Sequence, residues 1–269
     1  MKKIVSLVVA ALVMCSCADS FLSEEPVGEF MPEQVESEEN IEGIVIGAYA
    51  VLDGYYASDA INSGCSNWQF GDVVSDDAYK GGGGTGDQNQ IHLMEIFNAN
   101  PTGIDFEARW AALYEGVKRC NQAIRLLSNS TVKNKEQRLA EMRFLRGHYY
   151  FNLKVIYNLI PWIDETVVDP NEYHTKSNME FTSDQLWEKI LGEFSAAYQV
   201  LPESQSDYGR PTKMAAKAYM AKVYLYQSKW KECLSACDEV IQSGKYTLYP
   251  DFREVFLPEN DNNSEIIFA

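Results

Sequence analysis

The side chains most ready to do chemistry in this 269-residue sequence are acids, of which Asp72, Asp76, Asp77 and Asp87 crowd into one irregular, glycine-rich region. Two carboxylates at a defined separation are what glycoside hydrolysis needs. The same oxygens could hold calcium or accept hydrogen bonds from sugar hydroxyls. The local pattern does not choose between these uses and plain solvation. Other chemistries lack their residues. His92, His148 and His174 are far apart, and neither H-E-x-x-H nor a paired C-x-x-C occurs, so zinc has no support. There is no G-x-S-x-G for a hydrolase nucleophile. The glycine run Gly81 to Gly84 is followed by no G-K-[ST], which excludes a phosphate-cradling P-loop. Asp261-Asn262-Asn263 lacks the glycine and distal glutamate of a calcium-binding helix-loop-helix. Cys233 and Cys237 sit one helical turn apart, where Cβ atoms stand about 5–6 Å from each other, too far for a disulfide, so they are expected as buried thiols. Cys65 and Cys120 could pair in an exported protein. No motif calls for a metal or a cofactor.

With 23 basic and 39 acidic residues the chain carries a formal charge of −16. Such a surface repels phosphate backbones, which excludes nucleic acid as a partner, and it disfavours anionic polysaccharides. The 16 Tyr, 12 Phe and 5 Trp suit helix packing and sugar stacking alike. Residues 1–16 read as an export signal: Lys2 and Lys3 form the charged start, and Ile4 to Met14 is apolar except for Ser6. That run is too short to remain as a bilayer-spanning helix. Met14-Cys15-Ser16-Cys17, a small residue before Cys behind an apolar run, resembles a bacterial lipobox. Cleavage is expected to leave Cys17 as the lipidated N-terminus; Cys15 is the poorer choice because Met14 would then occupy the cleavage position. Several acyl chains on one residue give the stable membrane attachment that a single chain does not. Residues 17–39, with Pro26, Pro32 and isolated Phe21, Leu22 and Phe30, are expected as a lipidated tether leading into the fold.

The elements that must position the acids and rings are helices. Ile41 to Tyr56 places Ile44, Ala48, Val51, Leu52 and Tyr55 on one face. Phe106 to Leu127 carries a stripe through Trp110, Tyr114, Val117 and Leu127, with Asn121 beside it as a buried hydrogen-bonding residue. Glu141 to Trp162 has two apolar stripes: Met142, Leu145, Tyr149 and Leu153 lie on one, and Phe144, Gly147, Phe151 and Val155 on the other. A helix apolar over so wide an arc is packed on more than one side and is therefore central. Arg143, Arg146, Tyr150 and Lys154 make its remaining polar row. Asn134 and Gln137 are expected as its cap and capping-box partner, Gly147 as a point of close backbone approach, and Pro161 as its stop. Thr182 or Ser183 caps a further helix that buries Leu186, Ile190, Phe194, Ala197 and Leu201 and ends at Pro202. Gly209 to Trp230 and Glu232 to Gln242 form a hairpin, with Ala215, Ala216, Ala218 and Ala221 permitting close approach and Cys233, Leu234, Cys237, Val240 and Ile241 forming an apolar face. Asn62 to Asn100 is the least regular part. Its glycines predict a mobile surface loop, and long loops on helical scaffolds often carry binding sites. Leu257 to Asn263 reads as a turn, and Ser264 to Ala269 as a strand-like run.

The stretch E-M-R-F-L-R-G-H-Y-Y-F-N-L-K-V-I-Y-N-L-I-P-W, Glu141 to Trp162, resembles the signature helix of the SusD/RagB family of surface glycan-binding lipoproteins. Three more stretches resemble that family. They are W-x-x-x-Y-x-x-V-x-x-C-N from Trp110 to Asn121, G-R-P-T-K-M-A-A-K-A-Y-M-A-K-V-Y-L-Y from Gly209 with S-G-K-Y after it, and N-S-E-I-I-F from Asn263. The Ser16-Cys17-Ala18-Asp19-Ser20-Phe21-Leu22 start with Pro26 also fits. The resemblance implies a mostly α fold, with tetratricopeptide-like helix pairs forming a SusD-like helical scaffold with irregular loops over residues 40–269, incomplete at the C-terminal end. It implies a non-catalytic, lipid-anchored protein of the outer-membrane cell surface. Such a protein binds an oligosaccharide or polysaccharide and delivers it to a TonB-dependent, SusC-like transporter. By motif position, Trp68, Asp77 and Tyr79 are the ligand-binding candidates. The apolar face of a pyranose lies flat on Trp or Tyr rings, and its rim of hydroxyls seeks groups such as Asp. Two other functions compete: a tetratricopeptide-type outer-membrane scaffold lipoprotein that binds assembly partners, and a glycosidase.

Overall fold

The computed structural model describes residues 38–54 and 68–268. The leader over residues 1–16, Cys17, the tether as far as residue 37, Tyr55 and Cys65 lie outside the described residues. The described part is helical, in the order α1 (Glu38–Tyr49), α2 (Asn89–Glu95), α3 (Ile104–Asn129), α4 (Lys135–Tyr157), α5 (Pro170–Tyr173), α6 (Ser183–Val200), α7 (Lys213–Tyr226) and α8 (Trp230–Gln242). The long helices pack in sequence: α1 on α3, α3 on α4, α4 on α6, α6 on α7, and α7 on α8. This side-by-side array is what successive helical hairpins build, and it bears out the expected mostly α, helix-pair scaffold.

Helix α4 is central, as its two stripes predict, and it also touches α1 and α7. Met142, Phe144, Leu145, Tyr149 and Leu153 are all fully buried. Phe144 meets Phe194 of α6 at 5.7 Å and Tyr219 of α7 at 5.2 Å, both edge-on. The Tyr149 hydroxyl donates to the Ala48 carbonyl at 2.7 Å and so ties α1 to α4. Gly147 admits not a backbone but side chains: a Cβ there would stand 2.9 Å from the Phe194 ring and 3.2 Å from the Glu193 Cβ. Gly116 on α3 is the tighter case, since a Cβ would lie 2.6 Å from the Tyr149 ring.

The polar row of α4 is for the most part a buried network. Arg146, Tyr150 and Lys154 are buried, and so is Glu141. Arg146 forks onto Glu193 at 2.8 and 3.2 Å and donates to Asn121 Oδ1 at 2.8 Å and to Glu165. Burial alone would lower the Arg146 pKa, but Glu193 and Glu165 outweigh it and hold the guanidinium charged. Glu141 accepts from Arg138 at 2.7 Å, from Arg210 at 2.8 Å and from the Tyr49 hydroxyl at 2.9 Å. Helix α4 is thus enclosed over most of its circumference, with Val155 exposed and Arg143 partly so, and its buried charges remain inside only because each has partners.

Local signals decide the ends. Thr182 and Gln185 form the expected capping box, with Thr182 Oγ1 accepting from the Gln185 amide at 3.3 Å and Gln185 Oε1 from the Thr182 amide at 2.9 Å. Asn134 precedes α4 but makes no side-chain cap, and Gln137 turns away to donate to Gln205 at 2.7 Å and Glu141 at 3.3 Å. The Gln137 side-chain amide is thus committed to Gln205 first and Glu141 second rather than to the cap. Helix α4 ends at Tyr157, before Pro161, with Asn158 at φ 62°. Helix α1 ends at Tyr49 and tightens into a 3-10 turn over Ala50–Asp53, shorter than its periodicity suggested. Its buried row is Ile41, Val45, Ala48 and Val51. Ile44, next to Val45 and about 100° round the helix from it, is only half-buried.

On α8 only Ala236 and Val240 are buried; Leu234 and Ile241 are largely exposed, and Cys233 and Cys237 are half-buried free thiols rather than core ones. Helix α8 packs on α7 and so has a single face to cover. Burial, with Cys233 alongside, still raises the Cys237 thiol pKa. The run after Asn263 forms no strand. Its Ser264 carbonyl takes the Thr247 amide at 3.0 Å, and the chain then turns so that Phe268 packs edge-on to Phe144 at 4.9 Å.

Candidate functional site

The irregular segment between α1 and α3 is built on a π-helical turn, Trp68–Asp72, closed by the Val73 amide donating to the Trp68 carbonyl at 2.9 Å. Single π turns of this kind recur at functional sites. The turn is held from below. Gln69 and Val73 are buried. The Phe70 ring lies 5.5 Å from Phe106 of α3, edge-on, with the Arg109 guanidinium 5.5 Å above it. Arg109 is itself buried and donates to Asn152 of α4 at 3.4 Å. Asn152 donates to the His148 carbonyl at 2.9 Å, and His148 Nδ1 lies 2.6 Å from the Tyr219 hydroxyl of α7. Burial, helped by Arg109 and Lys222, lowers the His148 pKa to about 3, so this imidazole is neutral at physiological pH. The turn therefore rests on α3, whose Arg109 is tied in turn to α4.

Beyond it the chain doubles back. The Ser75 amide donates to the Gly71 carbonyl at 2.9 Å, and the Ala78 amide to the Asp72 carbonyl at 3.0 Å. Asp76 takes a left-handed φ of 66°, a conformation that aspartate tolerates. The Ser75 hydroxyl lies 3.2 Å from Asp77 Oδ2. Trp68 is half-buried at the base, Asp77 is exposed, and the Tyr79 side chain projects into solvent, 80% exposed. All three sequence candidates thus fall on one short, anchored segment. The Asp72, Asp76, Asp77 and Asp87 group does not stay together. Asp87 is drawn into the glycine turn, where it accepts from the Gly83 amide at 2.9 Å, and Lys80 Nζ donates to the carbonyls of Gly81 and Gly84 at 2.9 and 3.0 Å. The glycine run is a surface loop as expected, and these two side chains staple it. Asp72, Asp76 and Asp77 are exposed. The described residues contain no group of three or more His, Cys, Asp or Glu side chains placed to hold a metal ion.

One residue of this region escaped the sequence reading. The Lys80 amide donates to Glu95 Oε1 at 3.2 Å, so the segment carrying Tyr79 is pinned to the end of α2. Two residues beyond Glu95 stands Phe97, 78% exposed, with φ 55°. The Asn98 amide donates to the Leu93 carbonyl at 2.8 Å and the Phe97 amide to Met94 at 3.0 Å. This is the Schellman closure of a helix, in which the left-handed position normally falls to glycine. Here a phenylalanine occupies it and presents its ring to solvent. Nothing in Ile96-Phe97-Asn98 as a string announces this; only the hydrogen-bond pattern does.

Comparison with known proteins places this architecture. A SusD-like family model, described as starch-binding and associating with the outer membrane, matches residues 20–225. The chain belongs to that SusD-like family. It is 23% identical to SusD-like protein P25 of Formosa agariphila, covering 99% of this chain and 51% of the relative, and 24% identical to a SusD-like protein of Bacteroides ovatus, covering 99% and 49%. Among solved structures it resembles the surface glycan-binding protein A of Bacteroides thetaiotaomicron in complex with laminarihexaose, with TM-score 0.71 and 29% identity over 86% of this chain and 48% of that one. A laminarin-binding SusD-like protein gives TM-score 0.75 and 26% identity over 87% and 51%. The chain spans about half the length of these relatives.

Proposed function

We propose that this protein is a non-catalytic cell-surface lipoprotein that binds a neutral oligosaccharide or polysaccharide and passes it to a SusC-like, TonB-dependent outer-membrane transporter. The observation that carries the proposal is membership of the SusD-like family over residues 20–225, with relatives named for binding glycan or laminarin. The anchored segment supports it. Trp68 and Tyr79 offer ring faces and Asp77 a carboxylate within one short stretch, and Phe97 emerges beside the same pinned pair. Rings for the C–H faces and a charged acceptor for the hydroxyls are the combination a sugar requires. A formal charge of −16 favours a neutral glycan over an anionic one. Cys17, behind the lipobox-like run, is the proposed anchor to the outer membrane.

The test is calorimetric titration with a panel of neutral oligosaccharides, laminarihexaose first, with the released reducing ends assayed in the same samples. Binding without release supports the proposal. Release that disappears on changing Asp72, Asp76 or Asp77 would make the protein a glycosidase instead.

A further inference from the structure

Away from the anchored segment, the outer side of α3 and the chain leaving α4 enclose a cavity of about 350 Å3, lined by Trp110, Tyr114, Pro161 and Tyr173 and edged by Glu115 and Lys118. This volume falls within the range of small-molecule sites, roughly 300–1,000 Å3. Its wall is rigid. The Trp110 and Tyr114 rings lie 4.8 Å apart at 45° and form one bent apolar surface. Tyr157 backs Trp110 edge-on at 4.9 Å, and Tyr150 backs Tyr114 at 6.3 Å. The polar atoms of the wall are already engaged: the Tyr114 hydroxyl donates to the Pro161 carbonyl at 2.7 Å, and Asn121 Nδ2 to Ile163 at 2.9 Å. What the wall offers is carbon, and what the rim offers is Glu115 and Lys118, 3.7 Å apart, with Arg119 Nε donating to the other Glu115 oxygen at 2.9 Å.

We infer that this cavity is a second carbohydrate subsite, taking one or two rings of a neutral sugar. The inference rests on the carbohydrate-binding function proposed above but on none of the residues assigned to it. The chemistry selects the ligand class by elimination. A wholly apolar ligand would strip water from the Glu115–Lys118 pair and give nothing back. An anion would meet Glu115 and the overall negative charge, and a cation would meet Lys118 and Arg119, between which Glu115 is already shared. A pyranose lays its C–H face on Trp110 and Tyr114 while its hydroxyls reach both rim charges.

The test uses the whole chain and methyl β-D-glucoside as probe, at up to about 100 mM, where a contact worth a few kcal/mol registers. The readout is the Trp110 indole resonance, assigned with Trp110→Phe. The expected result is a saturable shift of that resonance. Ala111→Arg, whose side chain would reach Glu115 one turn away and cover the mouth, should weaken it at least about tenfold without changing the melting temperature. Lys118→Ala should weaken it about threefold to tenfold through a lost charge-assisted hydrogen bond. No saturable shift, a shift indifferent to both variants, or an equal shift with cyclohexanol would overturn the inference. Trp68→Ala and Tyr79→Ala should leave the Trp110 response intact. If they abolish oligosaccharide binding while the glucoside leaves Trp110 unmoved, only this inference falls. If Trp110 responds while those variants bind oligosaccharide normally, the assignment of Trp68 and Tyr79 falls instead.

Discussion

Phe97 holds a left-handed φ of 55° where glycine would be cheaper, with its ring 78% exposed, so its conformation costs stability and burial returns little. Strain kept at an exposed aromatic next to a candidate ligand segment is reason to look for function there. Phe97→Gly should raise unfolding stability by about 0.5–1 kcal/mol while weakening oligosaccharide binding several-fold. A variant that is stabilised but binds normally would leave the ring without a role. His148 makes a second residue-level prediction. Its folded pKa is lowered to about 3 by burial, Arg109 and Lys222, against an ordinary value near 6.5 in the unfolded chain. Between these values the unfolded chain takes up a proton that the folded chain refuses, so stability falls as pH drops from about 6.5 toward 3, by up to about 1.4 kcal/mol per unit. Denaturant unfolding of wild type and His148→Gln at pH 7 and pH 5 checks this: the variant should lose less between the two. At this scale the sequence was legible where a residue's type alone limited its place. Asn121 was expected to be a buried hydrogen-bonding residue, and it joins Arg146 to the Ile163 carbonyl. Phe97 was opaque because its conformation is set by a backbone closure that no residue type declares.

Among the helices, the family-like stretches prove to be bonded to one another. Arg146 of the Glu141–Trp162 stretch meets Asn121 of the Trp110 stretch, and Arg210 of the Gly209 stretch meets Glu141. The motif thus marks contacts between helices as well as a helix. Arg146→Ala should cost about 3–5 kcal/mol, since it leaves the enclosed Glu193 side chain without its forked partner. Arg143, with its side chain 38% exposed and 3.6 Å from Glu193, should cost less than about 1 kcal/mol when changed to Ala. Equal losses in chemical denaturation would mean the buried network is not centred on Arg146. Gly116→Ala, pushing a Cβ against the Tyr149 ring, should cost about 1–3 kcal/mol. Periodicity made α3, α4, α6 and the α7–α8 hairpin legible, because one face of each meets a neighbour. It failed where packing depends on what else is present. The polar row of α4 fits a buried ion-pair network or an exposed face equally well until Glu165 and Glu193 arrive from other parts of the chain. The face of α8 reads as core, although α7 covers only its Ala236 and Val240 edge.

At the scale of the molecule, a helical scaffold carries a stapled, ring-bearing segment, and the proposed function joins that segment to a membrane through Cys17. Cys17→Ser should move the protein from the membrane to the soluble fraction and abolish metabolic labelling with palmitate; labelling that persists would put the anchor elsewhere. A neutral ligand has no counterions to release, so its affinity should change little between low and high salt, unlike that of a charged one. The central claim is that this chain holds sugar through an anchored aromatic segment and does not cut it. The most direct measurement is calorimetric titration of laminarihexaose into the whole protein and into the Trp68→Ala and Tyr79→Ala variants, at low and high salt. Saturable, salt-insensitive binding, weakened about tenfold by each ring removed and accompanied by no new reducing ends, is the predicted result. Affinity unchanged in both variants, or sugar consumed during the titration, would contradict it.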